Sequence, residues 1–378
     1  MSRGERSPGS QSGGLSARSA GKGPSPSLAR AEKSFAMTGP ARGGGVACSP
    51  ILAESPCPPS ILTTWSVMPD PLPVLVGGSI AIDNVKTPTA EASNLLGGSA
   101  SYAALAATYF TDPVHLVGII GNDYPPEHLV MLESHGVKLE GVDRSEGASF
   151  TWSGEYFQNM NDRTTHHVAV NVLEDWKVSL SPELAEVPLV VLANMAPGNQ
   201  LEFLAQCSAP NRFVLADTMD LWIGIARDSL EQVMKEIDLL VINETEAREY
   251  TGSTNLVEAG AILRAKGPKF VVIKLGEFGA ILFGPPEINH GLFRCGAFPL
   301  REVVDPTGAG DTFLGAMAGY LASLGTTDYS FIQIRDAIVR GTVMASFTCE
   351  AFSTRRIQVL PEEDLLGRLE IFREMSCW

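Results

Sequence analysis

The chain of 378 residues is short of positive charge: 28 Lys and Arg stand against 43 Asp and Glu, a formal net charge of −15. Duplex nucleic acid is bound through basic faces, so this balance argues against such a partner and suits a small-molecule ligand. No apolar run reaches the ~18 residues that a membrane-crossing helix needs. Cysteine is scarce and scattered, at 48, 57, 207, 295, 349 and 377, with no C-x-x-C pair. That spacing offers neither a zinc site nor a disulfide framework, and it makes a reducing cytosol the expected setting. The six histidines form no H-E-x-x-H. His166 and His167 adjoin, but neighbours on a strand point to opposite sides, so they read as surface or lid residues and not as metal ligands. Two well-known phosphate loops are missing too. No segment supplies G-x-x-x-x-G-K-[ST], and G-x-G-x-x-G starts at Gly308 and Gly310 only to fail at Phe313, which disfavours a Rossmann dehydrogenase.

What is present fits a globular protein, with 44% hydrophobic and 19% charged residues. The length allows one large core, alone or with a small appendage. Charge is uneven along the chain: residues 1–67 hold seven Arg/Lys and three Glu, a net of +4, which leaves −19 for residues 68–378. The first stretch is dense in Ser, Gly, Pro and Ala, and it cannot bury enough apolar surface to offset chain entropy. It is expected to be disordered, either as an organellar transit peptide or as translated sequence upstream of a start at Met68. The domain proper is expected over 68–378.

From residue 72 apolar β-rich runs alternate with helical patterns. Strands are expected at Val74–Val76, Val114–Ile120, Leu189–Ala193, Phe213–Ala216, Leu239–Ile242 and Phe270–Leu275. Helices are expected between them and, after residue 311, alone. Continuous apolar strands alternating with amphipathic helices predict a three-layer α/β/α fold around a mostly parallel sheet. Two segments break the rhythm, Ile80–Leu96 and Ser149–Val172. Both alternate polar and apolar residues, and the second turns near Asn161-Asp162. Paired, they predict a small β-sheet lid over the carboxyl ends of the main strands, where α/β sheets bind ligands. Such a lid would exclude water from a transfer reaction. An exposed apolar face on it would favour a homodimer through the lid.

Residues 305–311 read D-P-T-G-A-G-D, between Val303-Val304 and the apolar run Thr312–Leu324. The glycines let backbone N–H groups come close to an anion, and the following helix turns its positive end on the same spot. Asp311 then lies beside an anion site. Either it caps the helix, or it takes a proton from an attacking hydroxyl while the backbone cradles a phosphate.

Other glycine and polar groups follow strands: Gly77-Gly78 through Asp83, Gly97-Gly98-Ser99-Ala100, Gly118 to Asp123, Asn243-Glu244-Thr245-Glu246 and Gly276 to Gly279. With these motifs the chain resembles the ribokinase-like (PfkB) carbohydrate kinase family over residues 72–360. D-P-T-G-A-G-D is similar to that family's carboxyl-terminal signature, L-L-G-G-S-A-S-Y to its glycine motif and N-E-T-E to its N-x-x-E motif. The resemblance implies an ATP-dependent kinase of a sugar, with a nucleoside kinase or a non-catalytic relative as alternatives. It implies Asp311 as base and Gly308, Ala309 and Gly310 as anion hole. Asn243 and Glu246 would organise magnesium, with Glu246 as its carboxylate. Lys274, Gly276, Gly279 and Thr307 would meet the nucleotide, and a monovalent cation such as K+ is admitted. Asp83, Gly97, Gly98, Tyr102 and Asn194 would meet the acceptor, with Tyr102, Trp152, Tyr156 and Phe157 as an aromatic wall. Where ribokinase reads G-G-K-G-A-N, this chain reads Gly97-Gly98-Ser99-Ala100-Ser101-Tyr102.

Overall fold

The structure, a computed structural model, describes residues 69–286 and 289–376. The expectation for residues 1–67 lies outside these described residues. The main sheet has nine strands: β1 (Val74–Gly77), β4 (Val114–Ile120), β5 (Val137–Arg144), β8 (Leu189–Leu192), β9 (Phe213–Asp217), β10 (Leu239–Asn243), β11 (Phe270–Lys274), β12 (Ala280–Phe283) and β13 (Leu292–Cys295). Their spatial order is β13-β12-β11-β10-β9-β8-β1-β4-β5. All pairings from β5 to β11 are parallel, and β12 and β13 add an antiparallel edge.

The buried strands feed two cores, one on each face. Val74 and Val76 face one core while Leu75 faces the other, as strand alternation requires. The first core is closed by α1 (Ser99–Ala107), α2 (Pro126–Ser134), α9 (Ala309–Ser323), α10 (Phe331–Thr348) and α11 (Glu362–Ser376). The second is closed by α4 (Pro197–Gln206), α6 (Arg227–Glu236), α7 (Glu244–Thr251) and α8 (Leu256–Arg264), with the short α3 (Pro182–Ala185) and α5 (Asp220–Ile225). Helix α9 runs tightly along α1: a Cβ on Gly315 would stand 2.0 Å from the Ala103 carbonyl oxygen, and one on Gly319 2.5 Å from that of Ala107. This close approach keeps the amino ends of the two helices together. Among the described residues no helix is long and apolar enough to cross a membrane.

The two alternating segments supply all four strands of the second sheet: β2 (Ala81–Lys86), β3 (Glu91–Gly97), β6 (Phe150–Tyr156) and β7 (Arg163–Ala169), ordered β3-β2-β6-β7. Pairing puts Leu95, Asp83, Trp152 and Val168 in one row on one face. That face packs through Val85, Leu95 and Tyr156 on Phe352 and Val304 of the main body. The opposite face is polar, with Glu155 held by Lys86 at 2.8 Å and by His166 at 3.0 Å. The apolar outer face that motivated a homodimer is therefore replaced here by an ion cluster.

Candidate active site

The D-P-T-G-A-G-D segment forms a turn that is pinned from below. Asp305 is wholly buried and accepts hydrogen bonds from the N–H groups of Thr307 (2.9 Å) and Ser353 (3.1 Å). Gly308 caps α9 in the left-handed region at φ 77°, and a Cβ there would lie 2.2 Å from Cε1 of Tyr102. A side chain at 308 would thus meet both a forbidden backbone region and a buried ring. Tyr102, expected to line an acceptor wall, is 1% exposed and supports this turn from beneath. Ala309 gives its N–H to the Pro306 carbonyl at 3.2 Å. Asp311 follows in the first turn of α9.

Asp83 stands on β2 and is 5% exposed. Room for its carboxyl comes from Gly97 across the ladder, where a Cβ would stand 2.2 Å from Asp83 Cγ. Gly98, at φ 86°, leads into α1 against the backbone of Ser79 to Ala81. Burial first, then the charges of Asp305 and Asp311, push the Asp83 carboxyl up to about 8, against the Gly98 N–H. Asp311 is pushed up to about 6 by burial and then by Asp217, while Lys274 and Arg163 pull it down. Asp83 and Asp311 therefore share one field, although 228 positions of sequence separate them. Replacing Gly97 with Ala should force Asp83 off its rotamer at a cost of about 0.5–1.5 kcal/mol. Thermal unfolding should then show a lowered Tm, and an unchanged Tm would contradict it.

On the other side, Asn243 and Glu246 form a capping box at the start of α7. The Asn243 N–H donates to Glu246 Oε2 and the Glu246 N–H to Asn243 Oδ1, each at 2.9 Å. Asn243 is thus a helix cap, and the box leaves Glu246 7% exposed beside Asp217. Burial, followed by the Asp217 charge, raises the Glu246 carboxyl above its ordinary range. Lys274, next to Asn243 in the ladder, donates to Asp217 Oδ2 at 2.9 Å. Gly276 and Gly279 flank a short helical turn after β11, both at positive φ. The β6–β7 turn reaches over to it, with Asn161 Nδ2 donating to Glu277 Oε1 at 3.4 Å. Thr307 likewise donates its hydroxyl to Tyr156 of the small sheet at 3.3 Å.

Asn194 is otherwise engaged. Its Nδ2 donates to Met219 Sδ at 3.0 Å, its Oδ1 accepts from Trp222 Nε1 at 2.8 Å, and its carbonyl accepts from Ser99 Oγ at 3.1 Å. Three residues of the site escaped sequence reasoning. Asp217 ends the strand predicted to stop at Ala216, and a carboxylate after an apolar run was the available signal. Asp305 stood inside the signature and read as part of its turn. Arg163 lay in a polar hairpin with nothing to single it out.

The model of the pfkB family carbohydrate kinases matches residues 75–360. A cytidine kinase of Thermococcus kodakarensis is 28% identical over 254 residues, 66% of this chain and 88% of that protein. A nucleoside kinase of Methanothermobacter thermautotrophicus is 27% identical over 63% of this chain and 75% of its own length. Among solved structures, the ribokinase from Giardia lamblia superposes with a TM-score of 0.67 at 18% identity, covering 81% of this chain and all of its own.

Proposed function

The chain belongs to the pfkB family of carbohydrate kinases, and from that premise we propose that it transfers the terminal phosphoryl group of ATP to a hydroxyl of a sugar moiety. The observation that carries this reading is the juxtaposition of a buried carboxylate, Asp83 on the small sheet, and a half-buried one, Asp311 at the amino end of α9, within one electrostatic field. Asp83 would accept hydrogen bonds from acceptor hydroxyls, with Gly97 and Gly98 leaving space. Asp311 would take the proton of the attacking hydroxyl. The amino end of α9, with the N–H groups around Gly308–Gly310, would stabilise charge on the phosphoryl oxygens. The small sheet would act as a lid, seated by Tyr156 on Thr307 and by Asn161 on the turn at Gly276–Phe278.

Magnesium would find Glu246, with Asp217 beside it. Among the described residues no group of three or more His, Cys, Asp or Glu side chains could hold a metal, and a carboxylate pair acting through water fits an ion that keeps most of its hydration shell. Bound there with the nucleotide, magnesium would offset phosphate charge.

A base near pH 6 is ionised at neutral pH, so activity should fall as pH drops through about 6, well above the 3.8 of an ordinary aspartate. The test is acceptor-dependent ADP release followed across pH. A kcat/KM profile flat down to pH 4 would contradict Asp311 as base.

A nucleoside acceptor is a second reading, favoured by Trp152. Its indole shares the row with Asp83 and lies over Gly154, where a Cβ would come within 2.2 Å of Cη2. Only partly buried, it offers a flat apolar surface beside the hydroxyl ligand. On this reading cytidine or adenosine outcompetes free ribose in kcat/KM. Equal or better use of ribose would return the acceptor to simple sugars.

A further inference from the structure

Three carboxylates on the nucleotide side, Asp217, Glu246 and Asp311, surround one lysine. The Lys274–Asp217 pair is largely buried, its side chains 18% and 7% exposed. An ammonium in such a place is costly unless it is paired and used. The same ammonium lies against the first turn of α9: a Cβ built on Gly310 would stand 3.1 Å from Nζ. A larger residue at 310 would come between the ammonium and the space over that turn. An ammonium has three N–H donors. One is spent on Asp217, and no other hydrogen bond from Nζ is formed among the described residues.

We propose that Lys274 is a catalytic residue whose ammonium, held by Asp217 at the amino end of α9, takes up negative charge on the phosphoryl group as it moves. The proposal rests on the phosphotransfer reading and gives Lys274 a task beyond holding the nucleotide. In the step, the acceptor O–H passes its proton to Asp311 and the acceptor oxygen bonds to phosphorus. The bond from phosphorus to the bridging oxygen breaks, and its electron pair leaves with ADP. The transferred group travels toward Asp311, and Lys274 stands beside Gly310, one residue before it. A donor fixed there meets the oxygens in flight more closely than those of the phosphates left behind. Asp217 is then a positioning residue, which keeps the ammonium aimed.

The test uses the full chain and an acceptor on which the unaltered enzyme is active. Absence of transfer by that enzyme would remove the functional reading itself, before Lys274 is at issue. Lys274→Met should lower kcat about 10²- to 10³-fold, the usual effect of deleting one fixed donor to a developing charge, with acceptor KM within about twofold. Its acid limb should move to higher pH. Asp311 is faced by Asp217 from β9, Lys274 from β11, Arg163 from β7 and Asp83 from β2, so loss of the lysine leaves Arg163 alone against the neighbouring carboxyls. Lys274→Arg should recover part of kcat. The double variant Lys274→Met/Asp217→Asn removes the lysine together with its hydrogen-bond partner, so it guards against misfolding and should show a loss of kcat at least as large. A kcat within a few-fold of the parent in either Met variant, or a defect confined to ATP KM, would overturn the proposal.

Discussion

Asp311→Asn is expected to lower kcat by about 10²- to 10⁴-fold, the range that positioned base catalysis supplies, while ATP affinity and the fold stay near normal. Asparagine keeps the shape of the side chain but cannot take the proton. The fold should not suffer, because Asp311 is not a stabilising charge here. Its carboxyl, pushed up from 3.8 to about 6 by burial and by Asp217, holds its proton longer when folded than when unfolded. Stability from this group therefore falls as pH rises from about 4 to about 6, and the amide removes that penalty. Thermal unfolding at pH 7 should show a Tm equal to or above the parent's. Near-normal turnover with a confirmed Asn at 311 would end the base assignment.

Asp83→Ala should lower kcat/KM for the acceptor roughly ten- to a hundredfold, with little change in ATP KM. Measured above pH 8, where Asp83 is ionised in the empty protein, the loss of a charge-assisted hydrogen bond to one or two hydroxyls is about 1.5–3 kcal/mol, which converts to that range. The separation of effects follows from position: Asp83 is on the small sheet with Gly97 and Trp152, whereas Asn243, Lys274 and Gly276 cluster at the ends of β10 and β11. Burial and two neighbouring carboxylates push Asp83 up to about 8, so it also penalises the empty protein. Between about pH 4 and pH 8 the folded state keeps a proton that the unfolded state has released, and stability declines across that window. Asp83→Asn should consequently raise Tm at pH 8 and make no difference near pH 4. A defect in ATP KM alone would detach Asp83 from the acceptor, and a Tm difference independent of pH would contradict the raised carboxyl.

The central strands were legible because each buries both faces, and residues such as Leu239–Ile242 read as unbroken apolar runs. Edge strands were not: β5 carries Lys138, Glu140 and Asp143 on its exposed side, and β12 and β13 are four residues each. The small sheet was legible through its alternation, although the side facing out proved charged where an apolar surface was expected. In the site, motif and chain order pointed to Asp311, Gly308 and Glu246. Tyr102 and Asn194 stand out in the sequence only by their chemistry near a glycine motif and a strand end. Their tasks are set by partners distant in sequence, Gly308 for one and Trp222 for the other. Asp217 and Arg163 owe their places to tertiary pairing, which periodicity and spacing do not carry.

Phosphorus NMR of a reaction holding the full chain, ATP, magnesium and a panel of sugars and nucleosides tests the central claim most directly. The account predicts a new phosphomonoester resonance with at least one acceptor, one per ADP formed, lost in Asp311→Asn. ADP that appears only with inorganic phosphate, or no turnover with any hydroxyl acceptor by folded protein that binds ATP, would contradict it.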